Sequence, residues 1–493
     1  MNPLRKLAGQ TAIYGTSTIV ARLLIYFLVP IHTRIFSTAE YGVVGYMYAY
    51  VALLLVLLTY GMETAFFRYY DNKAQDRDRI YGTTLLSLVG TSLVFVIVMI
   101  VMAQPIAKLI GFPKHSEYVI WFALMIVFDA ICTIPFARLR AINRPKMFAF
   151  IKIFTIGVCF LLNIIFLYVL PYLYRHNILM SVVSFIYNPA VGVGYIFIAN
   201  LISSGLTLLL LLVLLPHRKL SFDFAIWKRM LKYALPLLIF GLAGNINETF
   251  DRILLPNLLP PDIAMSQVGI YSACYKISIL MTIVIQGFKY AAEPFFFSYA
   301  KENDAKKVYA DVMKYFVIVC SVIFLGVMLY MDLVKHFVGK DFYEGLTVVP
   351  ILLLANMFLG IFYNLSIWYK LTDKTRFGAY LSIFGAIITL SLNFLLIPIM
   401  GYMGSAWATF ACYTSMMIAS YFIGQKHYPV NYNLRKIILF FGLALGFYFI
   451  SLAIKIDNLA IRLMVRTFIF LVYLYIILYF ERPSLLKLKK TDL

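Results

Sequence analysis

The spacing of the apolar runs constrains this chain more than anything else in it. A helix that crosses a bilayer needs about 20 predominantly apolar residues, because hydrocarbon offers its backbone no other hydrogen-bond partners. Fourteen such runs follow one another, at roughly 11–33, 41–65, 81–104, 117–137, 147–170, 188–215, 231–256, 266–290, 311–331, 347–369, 377–398, 404–424, 434–454 and 461–480. The first is too long for the apolar segment of a signal peptide and lacks a small-residue cleavage site, so it counts as span 1. No connection between runs is long enough to hold a soluble domain. Of the 493 residues, 62% are apolar and 13% charged, against about 45–50% and about 25% in soluble domains. A soluble enzyme, a disordered chain and a disulfide-rich secreted domain are excluded. The expected fold is an all-α polytopic membrane protein of about fourteen transmembrane helices.

Charge then orients the spans. Lys and Arg number 43 and Asp and Glu 22, a formal net charge of +21. Such a balance can mark a nucleic-acid binder, but here the basic residues are strung between apolar runs, which points to cytoplasmic loops and away from nucleic acid. With the N-terminus inside, Arg68/Lys73/Arg77/Arg79, Arg138/Arg140/Arg144/Lys146, Arg218/Lys219/Lys228/Arg229 and Lys487/Lys489/Lys490 all fall on the inner side. The outer loops carry only scattered charges such as Lys114, Arg175 and Lys340. Both termini are expected in the cytoplasm. The five cysteines lie singly within apolar runs and read as small apolar side chains.

An ungapped internal match adds a repeat. Arg140–Phe154 aligns with Lys370–Phe384, pairing Ala149 with Ala379, Ile153 with Ile383 and Phe154 with Phe384; further along, Asn163 pairs with Asn393. Tyr41-Gly42-Val43 also matches Val268-Gly269-Ile270, and Gly192-Val-Gly194 matches Gly401-Tyr-Met-Gly404. Both copies begin inside, so the repeat is parallel: two six-helix bundles related by a pseudo-two-fold along the membrane normal. The expected division is 1–215 for the first bundle, 216–230 for a cytoplasmic linker and 231–425 for the second. Residues 434–480 hold spans 13 and 14, and 481–493 form a basic cytoplasmic tail. Two such bundles normally enclose a central cleft, the architecture of a transporter; an assembly scaffold would have none.

Charged side chains inside spans are the candidate site, since each costs at least about 2.5–3.5 kcal/mol at mid-bilayer and needs a partner or a wet cavity. Arg22 lies near the middle of span 1, with Thr18 and Tyr26 one turn away on either side. Span 7 carries Asn245, Asn247, Glu248, Asp251 and Arg252, with Asn245, Glu248 and Arg252 on one helical face. Lys276 lies in span 8 and Asp129 in span 4. Glu63 closes span 2 toward the inside, and Arg34 and Arg252 end spans 1 and 7 toward the outside. A cleft lined by Arg22, Arg34, Arg252 and Lys276 would attract phosphate. Asp129 or Glu248 could carry a coupling proton, with Asn245, Asp251 and Glu63 completing the polar lining. Each of these charges could instead belong to a structural ion pair, such as Glu248 with Arg252 or Asp129 with a neighbouring span.

No enzyme motif competes. Gly339-Lys340 is followed by Asp341, not Ser or Thr, so no phosphate-binding loop forms. There is no His-Glu-x-x-His pair, the six histidines are dispersed, and no metal site is expected. Asp76-Arg-Asp78 resembles the acidic pair of some sugar transferases but lies in a basic loop, where it reads as a solvated charge run.

Arg22-Leu-Leu-Ile-Tyr-Phe-Leu-Val-Pro30, then Thr33-Arg34 and Glu40-Tyr-Gly42, resembles the opening of Wzx-type polysaccharide flippases. Asp251-Arg252 and Trp368-Tyr-Lys370-Leu-Thr-Asp-Lys374-Thr resemble the same family, as does the fourteen-span layout along the whole chain. The resemblance implies a bacterial inner-membrane protein that moves a polyprenyl-diphosphate-linked oligosaccharide to the outer leaflet by alternating access, for lipopolysaccharide or capsule synthesis. In relatives the cation-lined cavity includes basic residues of the first helix, a place that Arg22 takes here. The partners it implies are membrane lipids and the polymerase and chain-length proteins of polysaccharide synthesis. No cofactor is expected, with proton or sodium coupling known in parts of the superfamily. A cation antiporter of the multidrug class and a lipid II flippase remain alternative readings.

Overall fold

A computed structural model describes residues 3–70, 77–214, 220–300 and 302–491, with side chains at all of these except 3–14, 290, 291, 293, 294, 298 and 482–491. Lys73, Asp76, Arg218 and Lys219, and the side chains of Lys487, Lys489 and Lys490, lie outside the described set. Among the described residues every regular element is helical, and fourteen helices are long and apolar enough to cross a membrane. The chain is a multi-pass membrane protein.

Two compact units form, Met1–Gly269 and Ile270–Leu493. In the repeat, span 7 (Phe224–Leu258) opens the second half; in packing it joins the first unit, against spans 2 (Thr38–Tyr70) and 3 (Arg77–Val101). Polar groups of span 3 explain this. The backbone N–H of Asp223 donates to Thr83 Oγ1 at 3.0 Å, and the Asp223 carboxylate caps the helix by accepting from the N–H of Ala225 (2.9 Å) and Ile226 (3.0 Å). Trp227 Nε1 donates to Ser87 Oγ at 2.7 Å. Met230 and Ala234 then complete a core with Phe66, Tyr81 and Leu88.

Three spans of this unit are interrupted, each for a local reason. Span 1 (Gly15–Ile35) loses its regular ladder at Phe27–Leu28, because Pro30 has no N–H to offer the carbonyl of Tyr26. Span 2 breaks at Tyr60 and Gly61, both left-handed at φ 32° and 73°. A Cβ on Gly61 would stand 2.8 Å from the carbonyl oxygen of Ala234, so only glycine fits both the turn and the neighbour. Span 5 (Pro145–Arg175) widens into a π turn over Ile165–Val169, just before Pro171, where the Leu170 N–H reaches back to the Ile165 carbonyl.

The glycines matched by the repeat meet one another. A Cβ on Gly42 would fall on the carbonyl oxygen of Met265, and a Cβ on Gly269 on that of Thr38. Thr38 Oγ1 and Ser266 Oγ share a 2.7 Å hydrogen bond beside them. Small residues allow helix backbones this close inside a membrane.

In the second unit, spans 13 (Leu434–Ala453) and 14 (Leu459–Glu481) pack on span 9 (Ala305–Leu329) around Leu325, Leu329, Ala444 and Tyr473. The last helix continues to Thr491, past the expected end of the span at 480. Glu481, expected in a tail, is 1% exposed. It accepts from Lys314 Nζ at 2.7 Å, Lys436 Nζ at 2.6 Å and the Tyr315 hydroxyl at 3.2 Å. At the other end of span 14, Asp332 accepts from Arg466 Nη1 at 2.8 Å and is ion-paired with Arg462, whose Nε lies 2.8 Å away. Arg462 and Glu481 are about 28 Å apart along a helix rising about 1.5 Å per residue, close to the thickness of a bilayer core. Spans 13 and 14 are thus held to the second unit near both membrane faces.

Candidate substrate-binding site

Eight of the nine expected site residues lie in the first unit, and they fall into separate groups. Arg22 is exposed on span 1, and no hydrogen bond or ion pair engages it among the described residues; its electrostatic neighbour is Lys152. Tyr26, one turn on, is 9% exposed, so the expected polar stripe turns partly into the interior where the helix breaks. Arg34 is exposed, its Nη1 donating to the Pro30 carbonyl at 3.0 Å.

Span 7 gathers Asn245, Glu248, Asp251 and Arg252. The sequence favours Glu248 as the ion partner of Arg252 at one-turn spacing. The structure gives Arg252 a different set: Nη1 donates to the backbone carbonyl of Glu248 at 2.9 Å and lies 3.5 Å from the Asp251 carboxylate. The Glu248 side chain is exposed, whereas those of Asp251 and Arg252 are 4% and 11% exposed. The near neighbour wins because the Asp251 carboxylate also accepts from the Arg252 N–H at 2.7 Å, which holds it beside the guanidinium. Asn245 Nδ2 donates within its helix to the Gly241 carbonyl at 3.3 Å.

Asp129 stands apart from these groups. Ser204 of span 6 (Gly194–Leu212) stands close to its carboxylate, with Tyr48 of span 2 nearby. The neighbouring span thus supplies a hydroxyl where an ion pair was one expectation. Glu63 follows the break in span 2 and pairs with Arg140, in the last turn of span 4 (Ser116–Ala141). Lys276 belongs to the second unit, on span 8 (Pro261–Lys289), and is half-buried.

Two features escaped the sequence reading. Lys152, inside span 5, is close enough to Arg140, Arg22 and Glu63 to interact electrostatically with all three. The signal was present, since a charge within an apolar run is expensive wherever it falls. The other is His32 of span 1, whose Nε2 donates to Asn163 Oδ1 at 2.9 Å while Asn163 Nδ2 donates to the Cys159 carbonyl at 2.8 Å. Its repeat mate Asn393 has the same double role, accepting from Ser405 Oγ at 2.9 Å and donating to the Thr389 carbonyl at 2.7 Å. Replacing Asn163 by Leu is expected to lower stability by about 1 kcal/mol, the size of an interhelical hydrogen bond in a membrane. Thermal unfolding in nanodiscs checks this, and an unchanged midpoint would remove the bond from the account.

The fold is shared with several solved membrane proteins. It resembles the lipid II flippase MurJ in an inward closed conformation, with a TM-score of 0.69 at 16% identity over 96% of this chain and 99% of that one. It also resembles an inward-facing multidrug resistance MATE family transporter of the MOP superfamily, with a TM-score of 0.64 at 14% identity over 84% and 94%. A MATE structure in complex with MaD3S gives 0.61 at 13% identity over 86% and 96%. No curated protein matches the chain. Residues 31–344 match the family described as polysaccharide biosynthesis protein, and the chain belongs to that family.

Proposed function

We propose that this protein is a flippase that carries polyprenyl-diphosphate-linked oligosaccharide units from the inner to the outer leaflet of a bacterial cytoplasmic membrane, for cell-surface polysaccharide synthesis. Alternating access of two bundles is the mechanism, with both termini in the cytoplasm and the lipid tail left in the bilayer. The cations of the expected cleft that serve the diphosphate are Arg22, Arg34 and Arg252 of the first unit and Lys276 of the second. Membership of the polysaccharide biosynthesis family supports the substrate class. The observation that carries the reading is the surplus of positive charge around span 1. Arg22 has no ion-pair partner among the described residues, while two acids of the same unit are engaged, Asp251 with Arg252 and Glu63 with Arg140. A guanidinium suits diphosphate because it offers paired donors and keeps its charge at any physiological pH.

The multidrug antiporter reading draws on the MATE-like fold and on exposed Glu248. The two readings part on one experiment, the sidedness of lipid-linked oligosaccharide in cells depleted of the protein and then supplied with wild type or Arg22→Ala. The flippase reading expects inner-leaflet accumulation on depletion, cleared by wild type and not by Arg22→Ala at equal expression. Unchanged sidedness with raised sensitivity to cationic drugs would replace the flippase with the antiporter.

A further inference from the structure

The proposed cleft does not use Lys152, Arg140 or Glu63 as a group, yet the first unit brings them together beside Arg22. Glu63 sits on the short helix Met62–Tyr70, re-aimed by the left-handed turn at Tyr60–Gly61. Its carboxylate engages Arg140, which comes from the end of span 4. Lys152 is two turns into span 5, which packs along span 1. Lys152 thus has one carboxylate, Glu63, and two like charges, Arg140 and Arg22, within electrostatic range, and Glu63 is already paired with Arg140.

Aromatic rings hold two of these cations in place. The Arg140 guanidinium lies 4.9 Å from the Phe67 ring centre and Lys152 Nζ 5.3 Å from that of Phe148. Arg140 Nε is buried and has no hydrogen-bond acceptor among the described residues. Such a cluster is poorly neutralised by Glu63 alone. A ligand with at least two negative charges and several acceptor oxygens would balance it and supply the missing acceptor.

The repeat shows what is particular to this half. In the ungapped match of 140–154 with 370–384, Arg140 matches Lys370. Lys152 matches Ser382, so the third cation has no counterpart in the second half.

We infer that Arg22, Arg140 and Lys152 form a diphosphate-binding subsite, in which Glu63 is the resident counter-ion that the ligand displaces from Arg140. The assignment of the diphosphate to a lipid-linked substrate rests on the flippase reading; the anion site itself rests on the geometry. Lys152 supplies a point charge and Arg140 the directional donors. Glu63 keeps the empty site from being a bare cluster of like charges, and it competes with the ligand.

The test is equilibrium binding of inorganic pyrophosphate and of farnesyl diphosphate to the full chain in zwitterionic nanodiscs, with a parallel series in nanodiscs containing phosphatidylglycerol. Lys152→Met is expected to weaken both ligands about tenfold, the usual effect of losing one charge-assisted contact. Lys152→Arg should restore most of the affinity and guards against a merely misfolded variant. Glu63→Gln should tighten binding several-fold, because a competitor is removed. Tighter binding of farnesyl diphosphate than of pyrophosphate identifies a lipid-linked source, and equal binding a free one; either supports the subsite. Wild-type affinity in Lys152→Met, weaker binding in Glu63→Gln, or loss of the signal to phosphatidylglycerol alone overturns it. Intact pyrophosphate binding in a chain that moves no lipid-linked oligosaccharide would sink the flippase reading and leave the subsite standing.

Discussion

Glu481→Gln is expected to cost about 3–5 kcal/mol, the penalty for removing one partner from a buried ion cluster. Lys314, whose side chain is 5% exposed, would then keep its charge with only Asp311, itself half-exposed at 3.4 Å, to offset it. Lys436 is better placed to recover, since its side chain is 32% exposed and can reach water. The loss should fall on the seam between span 9 and the pair of spans 13 and 14, where Asp332 would remain as the other attachment. Thermal unfolding and limited proteolysis of the C-terminal helix in nanodiscs would show it. The double change Lys314→Met with Glu481→Leu should regain most of the stability, because apolar groups replace both charges. If Glu481→Gln unfolds like wild type, the cluster is not what fastens the last two spans.

Gly269→Val is expected to disrupt the first unit nearly as severely. Its Cβ would land on the carbonyl oxygen of Thr38, which is backbone and cannot rotate away. The helices must part, losing the Thr38–Ser266 bond and the contacts around it, at the upper end of the roughly 1–3 kcal/mol typical of overpacking. Gly42→Val should behave alike against Met265. Gly90, which has open space around its missing Cβ, is the control: Gly90→Val should cost nothing measurable. Folded yield and melting temperature of the three variants decide the matter, and equal losses at Gly90 and Gly269 would mean that helix propensity, not close approach, sets the effect.

What could be read from the chain itself follows the cost of burying groups in hydrocarbon. A run of twenty apolar residues has one stable fate in a membrane, so all fourteen spans were legible and their ends agree to within several residues. The expense of an intramembrane charge singles out Arg22, Arg252 and Asp129, and Lys152 carries the same cost. The ungapped match was legible too, and its Asn163 and Asn393 make the same pair of hydrogen bonds. Partners were not legible. Helical spacing favours Glu248 as the mate of Arg252, and the backbone hydrogen bond that holds the Asp251 carboxylate beside the guanidinium shows only in the structure. Glu481 reads as a tail residue, its partners being 45 and 167 positions away. Span 7 begins the second copy by sequence but packs with the first, because Thr83 and Ser87 bind its opening turn. Hydrophobicity and charge cost act on each segment separately and so determined the spans and the family of folds. Which charges meet is a property of distances between segments, and only the packed helices decided that.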